Sequence, residues 1–313
     1  MINYFFDMLT RSPKILIADE MNESGEKLLE EYFYIKKDIG VSNQEILKKY
    51  IDFDVMIIRS IRKIDAEFLK LSGIKVIATC SKGVDHIDIK SAENFGIKII
   101  NSDSGNTISA AEHTVGLMLN ILKRINLSDM LVRDGKFTEY DFPRHELCGK
   151  KVGIVGYGRV GSYVGKLLTA FGCNVYANDI DPEVIKRYPE VKFYECENLF
   201  AECDIITIHI PMSESNRNFI SERFLNIMKN NSIIINTSRG DVIDEEALID
   251  VLEKQKIYFA GLDVFKDEPI VDDRIKRLPN VLLTNHIAGK TKESNKKISE
   301  DIAFSILKYY NTT

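Results

Sequence analysis

The sequence predicts an α/β protein of two doubly wound parallel-sheet domains. Three observations point there. Short runs rich in Val and Ile recur along the chain, and each is separated from the next by a polar segment of helical length. The 313 residues, 44% hydrophobic and 28% charged, are enough for two packed cores. Apolar runs this continuous suit strands covered on both faces, and their alternation with helices gives a doubly wound layer.

Taken in order, residues 14–18 (Lys-Ile-Leu-Ile-Ala) form the first expected strand, and 24–32 a helix. Residues 55–59, 75–78 and 98–101 are further strands rich in β-branched residues, with a helix over 88–95 ending at Gly96. A long helix is expected over 109–132. Its apolar positions Val115, Leu117, Met118, Leu119, Ile121 and Leu122 are too many for one narrow stripe, so it is either central or buried against a second subunit. After the polar stretch 133–149 the alternation resumes, with strands near 152–155, 174–178, 204–209, 232–236, 259–264 and 281–285. The expected domains are 1–104 with 291–313, and 105–290 between them.

Composition excludes several classes. Forty-two Lys and Arg against 47 Asp and Glu leave a net charge of −5, which gives no reason to expect nucleic acid as a partner. No apolar stretch approaches the roughly 18 residues of a membrane helix. An acid, Asp7, stands where a signal peptide would be apolar, so a cytoplasmic location is expected. Cys80, Cys148, Cys173, Cys196 and Cys203 are odd in number and scattered, which suits free thiols in a reducing compartment. Neither they nor the histidines show ligand spacing, so no metal is expected.

The strongest local signal is residues 151–161, where the strand Lys-Val-Gly-Ile-Val runs into Gly156-Tyr157-Gly158-Arg159-Val160-Gly161. A helical pattern follows, with Val164, Leu167, Leu168 and Phe171 on one face and Gly172 to end it. Gly156 allows the tight turn, Gly158 lets backbone approach a pyrophosphate, and Gly161 lets helix and strand pack closely. The helix N-terminus offers unpaired N–H groups to phosphates. A second strand ends at Asp179, 18 residues past Gly161, near the spacing at which an acid accepts ribose hydroxyls and repels the extra phosphate of NADP. Asp181 is a rival for that role. This is the pattern of a Rossmann domain that binds NAD.

Three later strands each deliver a titratable or charged side chain just past their ends: Arg239, Glu268 and His286. Open α/β sheets bind ligands at those carboxyl ends. With Arg59-Ser60, Gly83-Val84-Asp85, the stretch 105–112 and His209-Ile210-Pro211, the ordered set resembles the NAD-dependent D-isomer-specific 2-hydroxyacid dehydrogenases, of which phosphoglycerate dehydrogenase is a member. The resemblance covers about residues 15–300.

That resemblance implies a flavodoxin-like substrate domain beside the Rossmann domain and an Arg–Glu–His catalytic set carried by Arg239, Glu268 and His286. Histidine can take the alcohol proton near neutral pH, a neighbouring carboxylate can orient the ring, and Arg239 can grip the 2-keto acid with paired donors. It also implies pyrophosphate contacts from Arg159 and Val160. Pocket-lining roles fall to His209, Ile210, Pro211, Thr237, Ser238, Ala288 and Gly289, and Asp263 would hold the carboxamide or cap its strand. Substrate-carboxylate binding is implied near Arg59, Ser60, Lys82 and Gly83. Lys82 stands where relatives commonly carry a small neutral residue, which suits either a phosphorylated or dicarboxylic acid or a merely solvated lysine. His86 stands where phosphoglycerate-type members usually show Asn, a lean toward the erythronate-4-phosphate branch. A homodimer through the 109–132 helix is implied. The favoured substrate is 3-phosphoglycerate. Glyoxylate or hydroxypyruvate reduction, D-lactate or erythronate-4-phosphate oxidation, and non-catalytic NAD sensing are the alternatives.

Overall fold

A computed structural model describes residues 12–81, 83–138 and 142–310. Their backbone separates into two units, one of the described residues through Asn106 together with those from Lys290, the other Thr107–Gly289.

The first unit is a five-stranded parallel sheet of β1 (Lys14–Ile17), β2 (Tyr34–Lys37), β3 (Val55–Ile58), β4 (Val76–Thr79) and β5 (Lys98–Asn101). Its order is β2-β1-β3-β4-β5, the flavodoxin-like order. Every residue of β3 and β4 is buried, and apolar clusters cover both faces. Each fully buried Ile contributes about 2 kcal/mol, so burial decides these central strands. β2 (Tyr-Ile-Lys-Lys) escapes the sequence reading for the opposite reason. It is an exposed edge strand with one half-buried residue, held by its ladder to β1.

The second unit contains β6 (Lys151–Val155), β7 (Asn174–Asn178), β8 (Lys192–Phe193), β9 (Ile205–Ile208), β10 (Ile233–Asn236), β11 (Phe259–Leu262) and β12 (Val281–Leu283). The sheet is parallel throughout, in the order β12-β11-β10-β9-β6-β7-β8. The direction of strand addition reverses between β6 and β9, which makes the crevice past their carboxyl ends the ligand position of such a sheet. Two-residue β8 is too short to show a pattern in sequence.

The expected helix over 109–132 is two helices, Thr107–Lys123 and Ile125–Arg133. Arg124 between them has φ +55, a left-handed conformation that no helix continues through. Its guanidinium lies 4.5 Å from the Phe259 ring and donates to the Tyr258 hydroxyl at 2.7 Å, which offsets the strain. The first helix is central, with Ala111 and Met118 fully buried. The second leaves Ile125, Met130 and Val132 more than half exposed. No helix among the described residues is long and apolar enough to cross a membrane, and no group of three or more His, Cys, Asp or Glu among them could hold a metal ion.

Candidate active site

The glycine loop sits where β6 ends. Gly156 has φ +87, and a Cβ there would lie 2.8 Å from Ile210 Cγ2 and 3.0 Å from the His209 carbonyl carbon. Glycine therefore lets this loop meet the segment after β9, and His209, Ile210 and Pro211 fall at the switch point. The side chain of His209 turns back to Thr207, Nε2 to Oγ1 at 2.9 Å. Gly158 is the N-cap of the helix Arg159–Ala170 and faces open space, with no side chain capping that helix. Arg159, Val160 and Gly161 form its first turn. The free N–H groups of a helix N-terminus suit a pyrophosphate, so the residues present fit a dinucleotide.

Asp179 follows β7. Its Oδ2 accepts from the Tyr157 amide at 2.7 Å, which ties the acid to the glycine loop, and its Oδ1 accepts from the Asp181 amide at 2.9 Å. Asp181 is the N-cap of the helix Pro182–Arg187, where its side chain accepts from Glu183. The rival acid is thus spent on a helix end. A cavity of about 650 Å³ opens beside Asp179, lined also by Ile180, Ile185, Tyr194 and Glu195. Its lining mixes apolar side chains with Asn178, Asn198 and two carboxylates, and those negative charges oppose a further phosphate.

Arg239, Glu268 and His286 come from the loops after β10, β11 and β12, which are consecutive neighbours in the sheet. Asn236, almost fully buried, shapes the first loop by accepting from Ser238 at 3.0 Å and donating to the Arg239 carbonyl at 2.9 Å. Thr237 Oγ1 lies 2.8 Å from Thr114 Oγ1, and Arg239 Nη1 donates to the Ser238 carbonyl at 2.7 Å. A Cβ on Gly240 would lie 2.0 Å from the Phe265 carbonyl carbon, so only glycine lets the Arg239 loop touch the Glu268 loop. Glu268 Oε1 accepts from the Phe265 amide at 3.1 Å, and Oε2 lies 2.6 Å from His286 Nδ1. Because a carboxylate only accepts, the hydrogen sits on Nδ1 and Nε2 is left for chemistry. Burial pushes the Glu268 carboxyl up. The His286 hydrogen bond and charge, the Phe265 amide and the Arg239 charge outweigh that and leave it below its ordinary value.

His286 has φ +54, a conformation that costs a non-glycine residue about 1–2 kcal/mol and persists only where neighbours enforce it. Asp263 enforces it. Its carbonyl accepts from the His286 amide at 2.8 Å, and its carboxylate accepts from the Ile287 and Ala288 amides, each at 2.9 Å, and from Thr284 at 2.6 Å. Burial would raise this carboxyl, but donation from His113, Thr284, Ile287 and Ala288 leaves it below its ordinary value. Asp263 was expected in the nicotinamide pocket or as a strand-end cap. Fully buried, it straps the 284–288 loop. Ala288 is also held through its carbonyl by Ser109 Oγ at 3.0 Å, and Gly289 ends the unit.

In the first unit, Arg59 and Ser60 follow β3. The Arg59 amide donates to Asp19 Oδ2 at 3.0 Å, and Asp19 pairs with Arg62 at 2.7 Å with both side chains about nine-tenths buried. Arg62 also donates to the carbonyls of Val41 and Ala18, so the loop carrying Arg59 is pinned from below. Past β4, Ser81 donates to the Gly83 carbonyl at 2.7 Å, while Thr79 Oγ1 lies 3.0 Å from His86 Nε2. Lys82 falls outside the described residues. Asp19, Arg62, Thr284 and His113 were not singled out from the sequence, because nothing local marks a residue whose partner lies tens of positions away.

Compared with known proteins, residues 115–288 match the family described as D-isomer specific 2-hydroxyacid dehydrogenase, NAD binding domain. D-3-phosphoglycerate dehydrogenase of Methanocaldococcus jannaschii is 36% identical over 298 residues, covering 94% of this chain and 57% of that protein. Hydroxypyruvate reductase of Thermotoga maritima is 32% identical over 304 residues, covering 94% of this chain and 97% of that protein. Among solved structures, a glyoxylate reductase from Paecilomyes thermophila superposes with a TM-score of 0.86 at 25% identity over 96% of each chain. The chain spans little more than half the length of the curated phosphoglycerate dehydrogenases it matches.

Proposed function

We propose, because this chain belongs to the D-isomer specific 2-hydroxyacid dehydrogenases, that it transfers a hydride between NAD and a small D-2-hydroxy acid. One observation carries the reading above the others: the His286–Glu268 pair, 2.6 Å apart, stands past the carboxyl end of the same sheet as the glycine loop.

NAD, when bound, supplies the hydride acceptor. The uncapped helix at Arg159 and the loop 156–161 would hold its pyrophosphate, and Asp179 its ribose hydroxyls. His209, Ile210, Pro211, Thr237, Ser238, Ala288 and Gly289 would border it. His286 Nε2 takes the hydroxyl proton during oxidation and returns it in reduction. Glu268 fixes the ring through Nδ1 and balances the imidazolium charge. Arg239 polarises the 2-keto oxygen and grips the carboxylate with its fork. Arg59, Ser60, Lys82 and Gly83 would bind the substrate carboxylate.

The substrate we favour is 3-phosphoglycerate, oxidised to 3-phosphohydroxypyruvate, a step of serine biosynthesis. Four relatives between 31% and 36% identical carry the name D-3-phosphoglycerate dehydrogenase. Reduction of hydroxypyruvate or glyoxylate is the second reading, favoured by relatives of 31–34% identity that carry those names. A cofactor-reduction assay with a panel of D- and L-2-hydroxy acids and both NAD and NADP separates them. Turnover on 3-phosphoglycerate far above glycerate and glycolate supports the first, the reverse order supports the second, and silence despite tight NADH binding points to an NAD sensor.

The exposed Ile125, Met130 and Val132 favour a homodimer through this helix pair. Light scattering at micromolar concentration should return twice the 35.7 kDa chain mass. The monomer mass would refute it. The five free thiols favour the reducing cytoplasm.

A further inference from the structure

Behind His286 lies a second histidine that the reading above leaves unused. His113, on the helix Thr107–Lys123, places Nε2 3.1 Å from Thr284 Oγ1 and 3.5 Å from Asp263 Oδ1. The Thr284 hydroxyl gives its hydrogen to Asp263 at 2.6 Å, so its oxygen can only accept from His113, and that imidazole carries a hydrogen on Nε2. Asp263 in turn takes the amides of three successive residues: His286 on its carbonyl, Ile287 and Ala288 on its carboxylate. Ser109, one helical turn before His113 and on the same face, closes the far side of the loop by donating to the Ala288 carbonyl.

This arrangement solves a specific problem. His286 must aim its ring from a left-handed backbone, φ +54, which surroundings have to impose. A loop whose three consecutive amides are held by one buried residue, the first by its carbonyl and the next two by its carboxylate, is kept from relaxing. That carboxylate is itself positioned by a hydroxyl whose direction a helix side chain sets.

We propose that His113 is a positioning residue, which acts through Thr284 and Asp263 to hold the loop that aims the His286 imidazole. The proposal rests on His286 being the proton-transfer group, and its test separates the two ideas.

Purified H113L, H113Q and T284V are compared with the parent protein in two ways. Hydrogen–deuterium exchange of a peptide spanning 284–289, without cofactor, reads the clamp independently of catalysis. Exchange in H113L and T284V should quicken about tenfold or more, and H113Q, whose amide nitrogen reaches the Nε2 position, should return within about threefold of the parent. In steady-state reduction of a 2-keto acid, kcat of H113L and T284V should fall about tenfold with KM for NADH held within about twofold. The H113L/T284V double variant should be no worse than the worse single one, as for residues in one network.

Unchanged exchange in H113L overturns the clamp, whatever the activity. Faster exchange with undiminished kcat overturns the link to His286. A fall in kcat that tracks a fall in Tm, and that H113Q does not rescue, overturns positioning in favour of general destabilisation. If the parent protein turns over no 2-hydroxy acid, the functional reading fails while the exchange measurement still decides the clamp.

Discussion

His286 and Glu268 share one hydrogen bond of 2.6 Å from Nδ1 to Oε2, which commits Nδ1 to the carboxylate and leaves Nε2 as the other ring nitrogen. Eighteen residues separate the two, and adjacent strands bring them together. The pair is partly open to solvent, with side-chain exposures of 44% and 33%. Replacing His286 with Asn should lower kcat about 10²–10⁴-fold, the range for a lost general acid–base group, with little change in NADH affinity. Glu268→Gln can still accept from Nδ1 but carries no charge, so it should lose less than His286→Asn. Steady-state kinetics checks both, and equal losses would sink the division of labour.

Arg239→Lys should stay impaired in both kcat and KM for the keto acid. A lysine ammonium is a point charge and cannot reproduce the paired, planar donors of a guanidinium. Recovery to within twofold of the parent would show that charge alone suffices.

The Asp19–Arg62 pair predicts a coupled effect in the first unit. Arg62→Met strips a buried carboxylate of its cation and should destabilise by about 3–5 kcal/mol, as breaking buried pairs does. Asp19 also holds the Arg59 amide, so KM for the acid should rise more than kcat falls. Urea unfolding and substrate titration measure the two. A stability loss below about 1 kcal/mol would mark the pair as incidental.

Asp263 predicts a pH signature. Its carboxyl is held below the ordinary value of 3.8 in the folded chain, so the unfolded chain binds the proton more readily. The stability it contributes is fully present above about pH 4 and is lost as pH falls through the lower folded value. The stability gap between the parent and Asp263→Asn should therefore be widest above about pH 4 and shrink below it. Urea unfolding across that range tests this. A gap that grows on acidification would reverse the assignment.

Much of this was legible along the chain. β3, β4, β9 and β10 are continuous runs of Val, Ile and other apolar or small residues because both their faces are buried, and burial leaves a mark in composition. The glycines of 156–161 were legible because a turn with φ +87 and a bare helix end demand those residues at that spacing. The break at Arg124 was not, since the contacts that support it, the Tyr258 hydroxyl and the Phe259 ring, lie 134 and 135 positions away. Edge strand β2 was not, because backbone ladders hold it and leave no side-chain pattern.

By itself, then, the sequence determined the layered α/β architecture and the dinucleotide loop, and it placed Arg239, Glu268 and His286 just past three strand ends, their catalytic role being what the family resemblance implies. The architecture, the loop and those placements follow from periodicity and turn chemistry, which act between near neighbours. Only the tertiary structure decided that His113 reaches Thr284, that Asp263 straps the His286 loop, and that Arg62 pins Arg59 through Asp19. Such pairings depend on strand order and helix placement, and a hydrogen bond between distant residues leaves no local trace in either of them.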